Sequence, residues 1–312
     1  LGTDCRRVSA GQASTYERIF RDEGKYTAFS DEWGIGWRMP KQGGFFFDMY
    51  QHPLAGAKGI DDLRDYAWPD PVDAQRFAGL RERAKALHDQ GKAVVLAPHC
   101  VGPTEMHAFL RGWRQYYLDF VLNPKLVEYI MDRVVELKVA FWDRALTEVG
   151  EYVDVVMEAD DVAGQDRMLI SPDTFRTVLK PRYARLFSAI KEKTQAKLFL
   201  HSCGAVREVL WDFVECGLDI LNPVQISAAG MDLFELKREF GRDLVFWGGG
   251  VDTQRVFGTG TPGEVREDVK RNIDALAPGG GFVIATVHNT QANVPPENFA
   301  AMWETLQEVG VY

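Results

Sequence analysis

Lys197-Leu-Phe-Leu-His201-Ser-Cys203-Gly204 is a short apolar run that delivers an imidazole and a thiol, two residues apart, into a glycine. On a β-strand alternate side chains share one side. His201 and Cys203 therefore emerge together at the strand's end, as two soft metal ligands facing one cavity. Zinc takes this pair of ligand types, and a catalytic site needs only one further protein ligand and an open position. For an isolated His-x-Cys, a buried cysteine beside a satisfied histidine is the commoner outcome. The surrounding sequence reverses that reading.

Short apolar runs alternate with long amphipathic stretches through most of the chain. The strands expected are Ala93–Pro98, Val153–Glu158, Lys197–Ser202, Asp219–Asn222, Leu244–Gly248 and Phe282–Val287. Helices start at recognisable signals between them. Asn123-Pro124 opens one running to about Thr147, and Ser171-Pro172 opens another, a cap hydroxyl followed by proline in the first turn. Thr261-Pro262-Gly263-Glu264 adds a capping box, after which Val265, Val269 and Ile273 fall on one face. The first regular helix is expected over Ala74–Gln90. Strands alternating with helices imply parallel β/α units. About six units, plus whatever precedes Leu1, fit a (β/α)8 barrel better than an open doubly wound sheet. No Gly-x-Gly-x-x-Gly follows any strand, which weakens a dinucleotide-binding reading.

In such a barrel the chemistry sits on the loops after the strands, and here each apolar run ends in polar residues. Val153–Met157 is followed by Glu158-Ala-Asp160-Asp161, and Asp219–Leu221 by Asn222-Pro223-Val-Gln225. Leu244–Trp247 leads to Gly248-Gly-Gly-Val-Asp252-Thr-Gln254, and Phe282–Val287 to His288-Asn289-Thr-Gln291. Capping and turn duty explains any one of these. It explains five in register poorly, because carboxylates, amides, histidines and a cysteine would converge on one barrel mouth. One carboxylate of Asp160-Asp161 is expected to orient substrate or complete a metal shell, and His288 to act as ligand or proton donor. Cys100, at another strand end, is a reserve ligand. Cys216 reads as a helix-end core residue, and His52, His88 and His107 as structural or exposed.

The 312 residues suffice for a single domain over 1–312, with 46% hydrophobic and 26% charged residues as in ordinary globular proteins. A net charge of -9 argues against a nucleic-acid partner. No apolar stretch approaches the roughly 20 residues that span a bilayer. Four scattered cysteines make no disulfide framework, so a reducing cytoplasm is the expected location. The segment before about position 90 differs. Asp31-Glu-Trp33-Gly34-Ile-Gly36-Trp37 and Gly43-Gly44-Phe-Phe-Phe-Asp48 are aromatic and glycine-rich without clean periodicity, and read as a loop-rich wall for a pocket. The start at Leu1, without methionine, suggests that an upstream piece of the native protein is missing.

The chain resembles the uroporphyrinogen decarboxylase superfamily nearly end to end, and within it the corrinoid (cobalamin)-dependent methyltransferases. The resemblance is most specific in Asp160-Asp-Val-Ala-Gly164-Gln165, Ile170-Ser-Pro172, His201-Ser-Cys203-Gly204, Asn222-Pro-Val-Gln225, Phe246-Trp-Gly-Gly-Gly250-Val-Asp252-Thr-Gln254 and Pro295-Pro296-Glu297-Asn298. Phe29-Ser30-Asp31 is similar to the segment bearing the decarboxylases' substrate-binding aspartate. The resemblance implies a (β/α)8 barrel with its pocket at the strand C-termini. The decarboxylases work without metal and do not use the His-x-Cys-Gly pair. In the methyltransferases the matching histidine and cysteine ligate zinc, and a later cysteine supplies a third ligand. Here that position matches His288, and Glu158 is a further candidate to complete the shell.

The resemblance thus implies methyl transfer between a small donor or acceptor (a methoxylated aromatic, methylamine or betaine, methanol or thiol) and a corrinoid carried by a partner protein. On the same resemblance zinc would be held by His201, Cys203 and His288. Asp31, Glu158, Asp160, Asp161 and His288 are the catalytic candidates, and Asn222, Gln225, Asp252 and Gln254 the substrate-binding ones. The alternatives are a cofactor-free decarboxylase of a uroporphyrinogen-like or other acid, and a non-catalytic corrinoid- or metal-binding protein.

Overall fold

A computed structural model of the chain describes residues 3–310, which divide into two compact units. The first runs to Asp160 and adds Arg176–Leu198; the second comprises Asp161–Phe175 and the chain from Phe199 onward. Among the described residues no helix is long and apolar enough to cross a membrane.

The first unit pairs β1 (Cys5–Ser9), β6 (Ala93–Ala97) and β7 (Val155–Ala159) in parallel, with Val8 opposite Leu96 and Leu96 opposite Val156. Between β1 and β6 lies a four-stranded antiparallel sheet of β2 (Arg21–Glu23), β3 (Tyr26–Ser30), β4 (Gly36–Pro40) and β5 (Asp48–Gln51). This corrects the loop expected there. Neither β3 nor β4 alternates buried and exposed positions, so the period-2 signal by which strands are read is missing.

The helix expected over Ala74–Gln90 is also revised. A 3₁₀ turn, Ala74–Phe77, is separated from α1 (Leu80–His88) by Gly79, whose φ of 66° is left-handed and ends helical continuity. α2 (Pro103–Arg111) and α3 (Trp113–Leu122) precede α4 (Pro124–Val149). The buried stripe of α4 (Leu126, Ile130, Val134, Leu137) closes over Trp33, Ile35, Met106 and Leu110 to form a core cluster, the i, i+4, i+8 spacing setting that face. After α5 (Pro172–Thr174), capped by Ser171 as its sequence indicated, a π-helical turn at Phe175–Leu179 leads into α6 (Lys180–Lys191).

The chain, which first enters the second unit over Asp161–Phe175, returns to it within β8 (Lys197–His201). There β8 pairs with β9 (Ile220–Asn222), β9 with β10 (Val245–Trp247) and β10 with β11 (Phe282–Val283), all in parallel. β11 is shorter than the run Phe282–Val287, although the Gly250 N–H still donates to the Ala285 carbonyl at 2.8 Å beyond its end. α7 (Leu210–Glu215), α8 (Leu233–Phe240), α9 (Pro262–Leu276) and α10 (Pro296–Val309) complete the unit. The Thr261/Glu264 capping box at the start of α9 is formed. The fold is α/β with parallel strands followed by helices. The described residues supply seven parallel strands, one fewer than the eight of the expected barrel.

Candidate metal centre

His201 ends β8 directly opposite Asn222 at the end of β9, and Cys203 follows two residues on. The side chains converge as strand alternation requires, with Cys203 Sγ 3.4 Å from His201 Nε2. His288, arriving from the loop after β11, completes a group whose donor atoms all lie within 4.8 Å of one another. Its ring centre is 5.7 Å from that of His201. With Zn–N near 2.0 Å and Zn–S near 2.3 Å, two ligands on one tetrahedron stand about 3.5 Å apart. The His201–Cys203 separation meets that requirement, and two imidazoles plus one sulfur is an ordinary zinc donor set leaving one position open.

A shell of hydrogen bonds holds this group. Asn222 Oδ1 lies 2.6 Å from His201 Nδ1, and Asn222 Nδ2 donates to the Trp247 carbonyl at 2.7 Å. The amide is therefore oriented by β10, and Nδ1 is engaged while Nε2 faces the sulfur. The Cys203 N–H donates to Asp161 Oδ1 at 2.8 Å, and the Gly204 N–H to Gln225 Oε1 at 2.7 Å. Gly204 has φ 90°, and a Cβ there would stand 2.5 Å from the Gly164 carbonyl oxygen, so only glycine makes this turn. Exposed His288 is held below the ordinary histidine value, first by desolvation and then by His201 beside it. Its imidazole is neutral at pH 7, the form a metal ligand requires.

The group opens on a cavity of about 460 Å³ lined by Cys203, His288 and a series of amides, among them Gln165, Gln225, Gln254 and Asn289. The structure therefore gathers His201, Cys203, His288, Asn222, Gln225, Gln254 and Asp161 within the second unit. Asp252 does not line the cavity. Its carboxylate accepts the N–H groups of Gln254 and Arg255, at 2.8 and 3.0 Å, and so shapes the turn that presents Gln254. Gln165, Asn289, Gln291 and Asn293 also line the cavity, and lone amides carry no spacing pattern that would have marked them in the sequence.

The remaining sequence candidates lie in the first unit. Glu158 is buried and paired with Lys138 at 2.9 Å, with the Trp142 indole N–H donating to its other oxygen. Burial raises its pKa against those partners. Asp160 accepts the Thr104 and Glu105 N–H groups at the start of α2 and the Tyr183 hydroxyl; burial pushes its carboxyl up to about 6. Asp31 accepts the N–H groups of Trp33 and Ile35 and, at 2.7 Å, the Trp37 indole. Cys100 lies beside Lys138 rather than in the metal-ligand group, and burial pushes its thiol up to about 12. Among the described residues His201, Cys203 and His288 are the one such metal-ligand group.

Residues 33–309 match the uroporphyrinogen decarboxylase (URO-D) family. Two curated relatives are methylcobamide:CoM methyltransferases (MtaA) of Methanosarcina barkeri. One is 27% identical over 238 residues, 75% of this chain and 64% of the relative. The other, from strain Fusaro, is 26% identical over 234 residues, 72% of this chain and 64% of the relative. The chain thus spans just under two thirds of these relatives' length. A solved methyltransferase from Methanosarcina mazei shares the fold, with TM-score 0.64, 22% identity, and coverage of 85% of this chain and 73% of that one.

Proposed function

The chain belongs to the uroporphyrinogen decarboxylase family, and we propose that within it this protein is a zinc-dependent methyltransferase working with a corrinoid. The observation that carries the reading is the His201–Cys203–His288 group, whose His-x-Cys spacing and supporting Asn222 are built into adjacent strand ends. The similarity to methylcobamide-dependent relatives supports it. The corrinoid arrives on a partner protein, and the single (β/α)8 barrel over 1–312, with Asp31, Glu158 and Asp160 serving its mouth, is part of the same proposal.

His201, Cys203 and His288 would hold the ion. Bound there, zinc supplies Lewis acidity that eases departure of a methylated heteroatom, or keeps an acceptor thiol as thiolate. The protein's own part is positional. Asn222 fixes the His201 ring so that Nε2 is presented, as second-shell partners do for ligand histidines. Asp161 and Gln225 pin the backbone on which Cys203 rides. Gln225 and Gln254, uncharged and at the cavity wall, orient a polar substrate without fixing the charge it carries. His288, neutral at pH 7, either ligates or accepts the proton of an incoming thiol.

The decarboxylase reading depends on Asp31, and both of its oxygens already accept from Trp33, Ile35 and Trp37. The test is a panel of labelled methyl donors incubated with cob(I)alamin, read as formation of methylcobalamin. Transfer from one donor class, abolished by Cys203→Ala, is the expected result. No transfer from any donor, with release of carbon dioxide from a carboxylic acid, would replace this reading with decarboxylation.

A further inference from the structure

The first unit carries a cavity of its own, of about 470 Å³, a size typical of small-molecule sites. Its wall is aromatic. Trp33 and Trp37 line it with Phe109, the Phe109 ring meeting Trp37 edge-on at 5.8 Å. These rings offer both faces and edges to a planar guest.

The charges at this cavity are unequal in what they already do. Arg76 is buried and paired with Glu32, so the two cancel. The Asp31 carboxylate is occupied by the Trp33 and Ile35 N–H groups of its own turn and by the Trp37 indole N–H from β4. Arg18 also lines the cavity and is exposed; its guanidinium lies over the Phe29 ring, 4.7 Å from the centroid. Among the described residues it has neither an ion pair nor a hydrogen bond. One neutral polar group is left over as well: His99 lines the cavity, and its buried Nδ1 has no hydrogen-bond partner. Such orphans are rare in folded proteins and call for an explanation, a ligand atom being one.

We propose that this cavity is a binding site for a monocyclic aromatic carboxylate. The ring lies among Trp33, Trp37 and Phe109, the carboxylate pairs with Arg18, and a ring hydroxyl or ether oxygen meets His99. A cationic guest in an aromatic cage is the opposite possibility, and the unpaired guanidinium at the wall disfavours it. The site is argued within the first unit alone and does not depend on the metal-centre reading.

The test is calorimetric titration of the Cys203→Ala protein, in which failure of the zinc reading cannot disturb the outcome. The ligands are 4-methoxybenzoate, anisole, cyclohexanecarboxylate and choline. Saturable binding of 4-methoxybenzoate is expected, at least tenfold tighter than anisole or cyclohexanecarboxylate. Arg18→Gln should weaken it at least tenfold and Arg18→Lys should restore part of the loss. Absent binding of 4-methoxybenzoate, equal affinity in Arg18→Gln, or tighter binding of choline would each overturn the assignment.

Discussion

Asn222 Oδ1 lies 2.6 Å from Nδ1 of His201, across the β8–β9 pairing that sets these two residues opposite each other. This contact engages one imidazole nitrogen and leaves the other facing Cys203. Asn222→Ala should therefore weaken zinc affinity by roughly 10- to 100-fold while leaving the fold intact. Competition against a chromogenic chelator measures it; unchanged affinity would mean that the ring is oriented by other contacts.

The turn at Gly204 is specified by backbone crowding. Gly204→Ala places a Cβ in left-handed backbone against the Gly164 and Ala163 carbonyls. It should cost about 1–3 kcal/mol and displace Cys203, lowering both thermal stability and metal content. Denaturant titration and metal analysis of the same sample check the two effects together.

The Lys138–Glu158 pair is buried at both ends. Removing one partner strands a charge, at a cost of about 3–5 kcal/mol, whereas removing both costs less. Lys138→Met is expected to be strongly destabilising, and Lys138→Met with Glu158→Gln to recover part of the loss. A double-mutant cycle from urea unfolding gives the coupling; additive losses would contradict it.

Asp160 sets a pH dependence whose sign is fixed by its raised pKa. Its carboxyl titrates at about 6 when folded against an ordinary 3.8, so between these values the folded state holds more proton than the unfolded one. Its contribution is fully present below 3.8 and is lost as pH rises through about 6. The stability of the wild type relative to Asp160→Asn should thus grow on acidification, by up to about 1.4 kcal/mol per pH unit across that window. Paired unfolding curves at pH 4.5 and 7 read it, and a difference independent of pH would refute it.

Six of the seven parallel strands and the convergence of His201 with Cys203 were legible in the sequence for one physical reason, whereas β1 (Cys5–Ser9) was not among the strands expected. β8, β9 and β10 are short apolar runs closed by polar residues, and period-2 geometry alone aligns His201 with Cys203. His288 was read from its place after the apolar run Phe282–Val287, of which only two residues form the strand, and the family resemblance added its match to a third-ligand position. The β2–β5 sheet was not legible, its strands showing no alternation of buried and exposed positions. The use of Asp160 at the start of α2 was also hidden. It depends on Thr104 and Glu105, more than fifty positions away, a pairing that no local pattern encodes. The same holds for Lys138 beneath Glu158.

His201, Cys203 and His288 are proposed to hold one zinc ion. The direct measurement is the metal content of the purified protein after zinc addition and exhaustive dialysis, beside His201→Ala, Cys203→Ala and His288→Ala. About one zinc per chain in the wild type, lost in the His201 and Cys203 variants and reduced in the His288 variant, is the predicted result. A wild type that remains metal-free, or a Cys203→Ala protein that keeps its full zinc, would contradict it.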